Sequence, residues 1–513
     1  MAICLATALS YGALAFCQNI LHNVFLLYYV DIFVTVYHID KLSFWLGETV
    51  FLVWNSVNDP LFGWMSDKKL LFTERVPSNG GLSPVAVVQQ RLQQLGLVGP
   101  LFAFSFLTFW VSWAPAGLQF VCCLCLYDAF LTAVTLQHNA LLADMAVSVT
   151  DRVRLSNHNA VASALASASV FASSAFWSRE NPQAFRLFCV ALAIVAAIGF
   201  MIFSHLLRSV YLDTERRHNA EPFSNHASQH EGEAGSIEAE VQVSLRQYIK
   251  QLSRHRNLLW FVAMNLIQVF HCHFNSNFFP LFLDHLLSHR ISFTTGSLLL
   301  GMSYFAPHLM NLYFMQLCQR HGVYTIVKWL FSFKLVLSLF MLAAGPEHIG
   351  LLCLLIASNR VFTEGTCKLL YLVVSDLIDE DFVLHKRRHV ASAMLFGMVA
   401  FVTRPGQTLA PLLGTWLLAT LSGFDVFQHP SFQPLMTTAP ISAFPRQSPG
   451  LNAPGEAKEA LRQGCFALLV WVPAICGLGQ LVIWSHFRLH GPYLQAVKSR
   501  RESPKSNWGM KDV

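Results

Sequence analysis

The chain has 513 residues, of which 54% are hydrophobic and 12% charged, with a net charge of +6. Its mean hydropathy is +0.45, whereas an average soluble domain carries roughly 25% charge. This balance excludes a disordered, collagenous or coiled-coil chain and makes lipid the expected solvent for most of the surface. The 12 cysteines have no regular spacing, which excludes a small disulfide scaffold. Cys122 and Cys125 form a C-x-x-C inside the apolar run VCCLCLY and read as buried thiols. No basic block interleaves with exposed aromatics, so no nucleic-acid partner is expected. The first residues lack a basic segment, so no cleavable signal peptide is expected either.

A helix needs roughly 20 apolar residues to cross a bilayer. Twelve such segments follow one another: about 8–36, 44–65, 95–112, 118–147, 158–177, 187–207, 257–283, 294–316, 325–344, 350–377, 391–420 and 464–487. They predict an all-α polytopic membrane protein of 12 transmembrane helices in two six-helix bundles. The N-terminal bundle is expected over 1–207 and the C-terminal bundle over 257–487. A polar, mixed-charge linker over 208–256 separates them, a Pro-rich loop over 421–463 precedes the last span, and 488–513 form a tail. Lys and Arg concentrate in alternate connections, including Arg152, Arg154 and Lys386-Arg387-Arg388. That bias places the linker, the tail and both termini in the cytoplasm. Losing one weak helix would flip one terminus.

Polar groups inside spans are costly and need an account. In the first span Gln18 and His22, and Asn19 and Asn23, are helical neighbours on one stripe. They serve either as interhelical hydrogen-bonding groups or, as four polar groups on one face favour, as a cavity wall. In the second span Asn55 and Asp59 face the same way, Asn58 lies beside them, and Pro60 frees a carbonyl one turn earlier. These oxygens suit a hard cation such as Na⁺; equally, Asp59 is expected to pair with a basic residue of another helix. In the seventh span His271 pairs with Asn275 and His273 with Asn277 at i,i+4, which reads as a polar cavity lining. A zinc site there would need ligands from other helices. In the tenth, Arg360, Glu364 and Lys368 climb one face as a charge ladder, either structural or made and broken as the bundles rock. Arg404 in the eleventh span precedes Pro405-Gly406, and Lys334 and Asp128 are charged residues with no partner legible in the sequence. No nucleophile elbow, phosphate loop, zincin or dinucleotide motif occurs, so neither an enzyme nor a primary pump is expected.

The six-plus-six spans, the long central connection and G-x-x-x-D-K from Gly63 to Lys68 resemble the major facilitator superfamily. Within it, LSYGALAF (Leu9 to Phe16), YYVD ending at Asp31, WNSVNDPLFGW (Trp54 to Trp64), HNALLAD (His138 to Asp144) with Asp151, Arg152 and Arg154, VVSDLIDEDF (Val373 to Phe382) and VTRPGQTLAPLLG (Val402 to Gly414) resemble the glycoside-pentoside-hexuronide:cation symporters, typified by the bacterial melibiose carrier. The resemblance implies a cation-coupled symporter. It places the coupling cation at the second-span motif, where Asp59 keeps one carboxylate and Asn55 replaces the other. The family's first-helix sugar-binding acid is Asn19 here, and its eleventh-helix basic residue survives as Arg404.

The expected function is secondary-active transport of a small polar or amphipathic organic solute by alternating access. A transporter-like receptor or scaffold that no longer transports, and a lysolipid transporter, are the alternatives. Asn55, Asn58 and Asp59 are the cation-site candidates; Asn19, Asn23, His271, Asn275 and Arg404 are the cavity candidates. Asp67, Lys68, Asp376 and Asp379 are expected at a cytoplasmic gate. No resident metal or cofactor is expected, Na⁺ or H⁺ being the candidate coupling ions. The expected partners are the lipid bilayer, the plasma membrane ahead of an internal one, and an unidentified small-molecule substrate; no protein partner is legible.

Overall fold

The computed structural model describes residues 4–72, 84–146, 148–177, 182–220, 245–287, 290–291, 293–387, 390–422 and 455–502. These residues are helical, with no strand among them. The N-terminal bundle contains α1 (Leu5–Asp31), running into a π-helical turn (Ile32–Val36), then α2 (Lys41–Phe72), α3 (Pro84–Leu107), α4 (Ala116–Met145), α5 (Val149–Ala166), α6 (Ala168–Phe176) and α7 (Gln183–Ala220). A short α8 (Leu245–Leu252) follows. The C-terminal bundle contains α9 (Arg256–Phe282), again running into a π-helical turn (Leu283–Leu287), then α10 (Phe293–His321), α11 (Val323–Ala344), α12 (Ile349–Leu384), α13 (Ser392–Thr403), α14 (Pro405–Ser422) and α15 (Gly455–Ser485). A last helix, α16 (Gly491–Glu502), ends the described chain.

Each of the twelve apolar segments falls on one helix or on a consecutive pair. The fifth is broken at Ser167 between α5 and α6, and the eleventh at Arg404 between α13 and α14. These are corresponding members of the two bundles, as are α1 and α9 with their π-helical ends. Two connections carry more structure than their polarity suggests. Helix α7 continues to Ala220 and α8 also lies inside the predicted linker. Tyr248 and Leu252 are buried while Arg246 and Lys250 are exposed, so α8 has one apolar face to bury. The tail contributes α16. The remainder of the linker (221–244), most of the Pro-rich loop (423–454) and the last residues (503–513) lie outside the described residues.

By length and composition alone, Ala116–Met145, Gln183–Asp213, Val323–Ala344 and Glu459–Ser485 suffice to cross a membrane. The other spans carry amides, charges or prolines, many of them buried in the bundle. Across the helices apolar side chains face outward: Leu97, Phe104, Leu187, Val336 and Phe340 are all exposed. The chain is therefore solvated by lipid at its rim and by its own polar groups inside. Of the Cys122/Cys125 pair, Cys122 is exposed and Cys125 only half-buried, because that stripe of α4 turns outward; Cys123 is the buried thiol. Ahead of α2, Asp40 accepts from the Ser43 backbone N–H at 2.9 Å, and this contact holds its carboxyl below the usual range.

The bundles meet through α2 against α13, α5 against α10, and α4 against α12 and α13. Glycine makes the closest of these approaches. A Cβ on Gly397 would stand 2.5 Å from Asp59 O, and one on Gly63 would stand 2.7 Å from Ala393 O. Small residues let helix backbones touch where lipid supplies no hydrophobic drive. Gly397→Ala should therefore destabilise the full-length protein by about 1–3 kcal/mol through overpacking. Gly350→Ala, with nothing within 4 Å of the added carbon, should be neutral or gain up to about 1 kcal/mol of helix propensity. Thermal unfolding in one detergent compares the two; equal effects would refute the close-packing account.

Candidate functional site

Pro60 lacks a backbone N–H, and α2 meets α13 beside it, with Gly397 against Asp59 O and Pro60 Cα. Opposite, α13 ends at Arg404, followed by Pro405, which cannot donate within a continuous helix. The break places the Arg404 guanidinium against Asp59: Nε lies 2.5 Å from Oδ2 and Nη2 3.1 Å from Oδ1. Arg404 Nη1 also lies 3.9 Å from Asp128 Oδ1 of α4. Asn58 ties the two acidic helices together, its Nδ2 donating to Asp128 Oδ2 at 2.8 Å and to Thr132 Oγ1 at 3.0 Å. Asn55, Asn58, Asp59 and Asp128 are all buried. The buried side-chain oxygens of Asn55 and Asn58 have no hydrogen-bond partner among the described residues. Of the two readings of Asp59, the basic partner on another helix is present; it comes from the other bundle, so the ion pair spans the interface.

A second set of charges closes the face at which α16 packs. Asp67 is fully buried; its Oδ1 accepts from Arg91 Nη2 at 2.8 Å and its Oδ2 from the Met394 backbone N–H at 2.7 Å. Met394 lies in the first turn of α13, where helix amides lack internal partners, and Ala391 provides no side-chain cap. The carboxylate that caps this helix thus comes from the opposite bundle. Arg91 Nε also reaches Asp144 Oδ2 at 2.5 Å, and Asp144 Oδ1 accepts from Ser392 Oγ. On the other side of this face, Arg152 of α5 spans Asp376 (2.6 Å) and Asp379 (2.7 Å) of α12. Lys498 of α16 lies 2.9 Å from Asp376, while Arg501 pairs with Asp379 and donates to Ala143 O at 2.9 Å. Helix α16 therefore bridges α12 of one bundle and α4 of the other. A cavity of about 220 Å³ lies beside these pairs, lined by Arg152, His321, Tyr324, Asp376, His490 and Lys498 among others.

The remaining candidates are distributed rather than gathered round one cavity. Asn19 donates to Ala15 O at 2.8 Å and Ser163 Oγ at 3.1 Å, Gln18 donates to Thr135 Oγ1 at 2.8 Å, and His22 meets the Tyr127 hydroxyl at 3.3 Å. Three members of the first-span stripe thus bond within the N-terminal bundle; Asn23 is half-buried beside them. His271 and Asn275 join a buried chain inside the C-terminal bundle through Lys334, Thr363 and Asn359. The charge ladder does not pair with itself among the described residues: the Arg360 guanidinium lies 5.6 Å from the Phe279 ring centroid, Glu364 accepts from Cys272 Sγ at 3.3 Å, and Lys368 meets His308 Nδ1 at 2.8 Å. Lys68 stands exposed over Trp64 at 4.9 Å rather than in the closure beside Asp67. Arg91, Lys498 and Arg501 are the members that sequence reasoning did not single out. Arg91 left a signal, as the only charge between 84 and 107; the two tail residues left none.

Two helical bundles, joined by buried charges at the centre and closed by charges at one face, form the architecture of the major facilitator fold. The chain matches the MFS/sugar transport protein family over residues 8–445 and belongs to it. It is 56% identical over 498 residues to transmembrane protein 180 of Gallus gallus, covering 97% of this chain and 95% of that one. To transmembrane protein 180 of Mus musculus it is 57% identical over 503 residues, with the same coverage of 97% and 95%. Among solved structures, a bacterial homologue of the iron transporter ferroportin in its outward-facing state superposes with a TM-score of 0.56 at 12% identity, covering 94% of this chain and 99% of that one. The major facilitator transporter FucP in its outward conformation gives a TM-score of 0.54 at 14% identity, covering 94% and 98%. At such identities these structures share the fold alone. The protein is an integral, multi-pass membrane protein.

Arg152→Ala leaves Asp376 and Asp379 with only the tail cations, and a broken buried pair costs about 3–5 kcal/mol. The closed face should open: a cysteine introduced at Val323, which lines the cavity, should react with a membrane-impermeant maleimide severalfold faster. Unchanged labelling in Arg152→Ala would show that these pairs do not hold the face shut.

Proposed function

We propose that this protein is a secondary transporter of a small polar or amphipathic organic solute, working by alternating access in the plasma membrane. In this reading the face bearing α16 is cytoplasmic, and the Arg152, Arg91 and α16 contacts are its gate. The observation that carries the reading is the Asp59–Arg404 pair. It joins the two bundles amid buried polar groups, where a solute or ion must compete for it as the bundles rock. Charge supports ion coupling. Asp59 and Asp128 bring two negative charges to one guanidinium, and the unpartnered oxygens of Asn55 and Asn58 are oxygen ligands of the kind a hard cation takes. Na⁺ or H⁺ would supply the missing positive charge.

The test is thermal unfolding of the detergent-purified full chain against sugars, nucleosides, organic anions and lysolipids, each with Na⁺, with choline and at lowered pH. A ligand at a hundredfold excess over its Kd stabilises by about 2.7 kcal/mol. A stabilisation that needs Na⁺ or low pH and disappears in Asp59→Asn is the expected result. If folded protein is stabilised by no compound, transport is overturned in favour of a receptor or scaffold.

A further inference from the structure

Lys334 of α11 is 3% exposed and takes part in none of the ion pairs among the described residues. A lysine in the core of a membrane bundle without a carboxylate is costly if charged. Its neighbours are specific. Nζ lies 2.5 Å from Gln480 Oε1 of α15 and 3.1 Å from His271 Nδ1 of α9. The other ionisable groups facing it are thiols, Cys272 of α9, Cys367 of α12 and Cys476 of α15. Glu364 of α12 is turned to Cys272, and His308 of α10 is turned to Lys368.

The amide orientations along this chain suit one protonation state, a neutral Lys334–His271 pair. Gln268 Nε2 donates to the Thr363 carbonyl at 2.8 Å, so Gln268 Oε1 accepts from Gln480 Nε2 at 2.6 Å, and Gln480 Oε1 must accept from Lys334. On the other side, Asn359 Nδ2 donates to Asn275 Oδ1 at 3.0 Å, while Asn275 Nδ2 donates to Thr363 Oγ1 at 3.0 Å and faces His271 Nε2 at 3.3 Å. A donor at Nε2 makes that nitrogen the acceptor of a neutral imidazole. The ring proton then sits on Nδ1 and points at Lys334 Nζ, which can accept it only as an uncharged amine, because an ammonium has no lone pair. Asn359 Oδ1, at the end of this chain, is a buried acceptor without a hydrogen-bond partner among the described residues.

We propose that Lys334 and His271 form a proton-binding site inside the C-terminal bundle, filled at His271 Nε2 and held on Lys334 Nζ. An incoming proton binds Nε2, and the Nδ1 proton passes to the lysine amine. The products are an ammonium that donates to Nδ1 and an imidazole protonated on Nε2. The Asn275 and Asn359 amides then turn over, nitrogen for oxygen, which their near-equal shapes permit. Nε2–H donates to Asn275 Oδ1, Asn275 Nδ2 donates to Asn359 Oδ1, and the Thr363 hydroxyl turns its proton from Asn359 O to Asn275 Oδ1. One proton enters and none leaves. Because the chain ties α9, α11, α12 and α15 together, its occupancy is felt across the bundle. The site is separate from Asp59, Asp128 and Arg404 and does not depend on what the protein carries.

Solid-state ¹⁵N spectra of the full chain in lipid vesicles, with ¹⁵N-labelled lysine side chains, read the amine directly. Between about pH 5 and about pH 9 one lysine nitrogen should change from ammonium to neutral amine, and this signal should be missing from Lys334→Met. Should that variant not fold, His271→Gln serves instead and should shift the midpoint of the change. Lysine nitrogens that stay ammonium throughout, or a titrating signal that persists in Lys334→Met or is unmoved in His271→Gln, would overturn the site.

Discussion

The ion pair between Asp59 and Arg404 is the interaction on which the arrangement depends. Neither charge is tolerable alone in hydrocarbon, and each sits next to a proline, Asp59 before Pro60 inside α2 and Arg404 before Pro405 at the break between α13 and α14. Each bundle therefore solves its burial problem with the other's side chain. The glycine contact of Gly397 on Asp59 O follows from the same requirement, since the two backbones must nearly touch for the side chains to meet. The backbone irregularity, the close crossing and the charge are one feature seen at three levels.

The closed face repeats this logic with more partners. Asp67, Asp144 and Arg152 on one bundle meet the Met394 amide, Ser392, Asp376 and Asp379 on the other. Such contacts are strong only while they are dry and fully paired, because a buried charge stripped of its partner is penalised rather than merely released. Their number makes closure cooperative. The tail adds to it: α16 carries cations to the same two aspartates, so Arg152 of the N-terminal bundle and two residues of the C-terminal tail share one pair of carboxylates.

Much of the architecture was legible in the sequence, because apolar length and the placement of Lys and Arg are local signals. The breaks at Ser167 and Arg404 were not, since apolar periodicity continues through both. The central candidates Asn55, Asn58, Asp59 and Arg404 were marked as polar residues in apolar runs and do lie together; Asp128, marked as a charge without a partner, joins them. What could not be read was pairing. Asp59 and Arg404 lie 345 residues apart, and nothing local says that one answers the other. The ladder of Arg360, Glu364 and Lys368 shows the converse error of local reasoning. Helical spacing made them neighbours, yet the Phe279 ring, Cys272 and His308 on adjacent helices are the partners they find. For the first-span stripe, spacing identified the polar face but not that Ser163, Thr135 and Tyr127 would be there to satisfy it.

The cap that Asp67 places on α13 has a consequence of its own. A helix with a first-turn amide satisfied by a carboxylate of another body would lose that bond if the bodies parted; its leading turn would then unwind, take up water or recruit a substitute. Under the proposed alternating access, the start of α13 would act as a built-in strain gauge, its local order following the distance between the two halves of the molecule. Folding of a few residues and movement of several hundred would in this way be expressed in a single hydrogen bond.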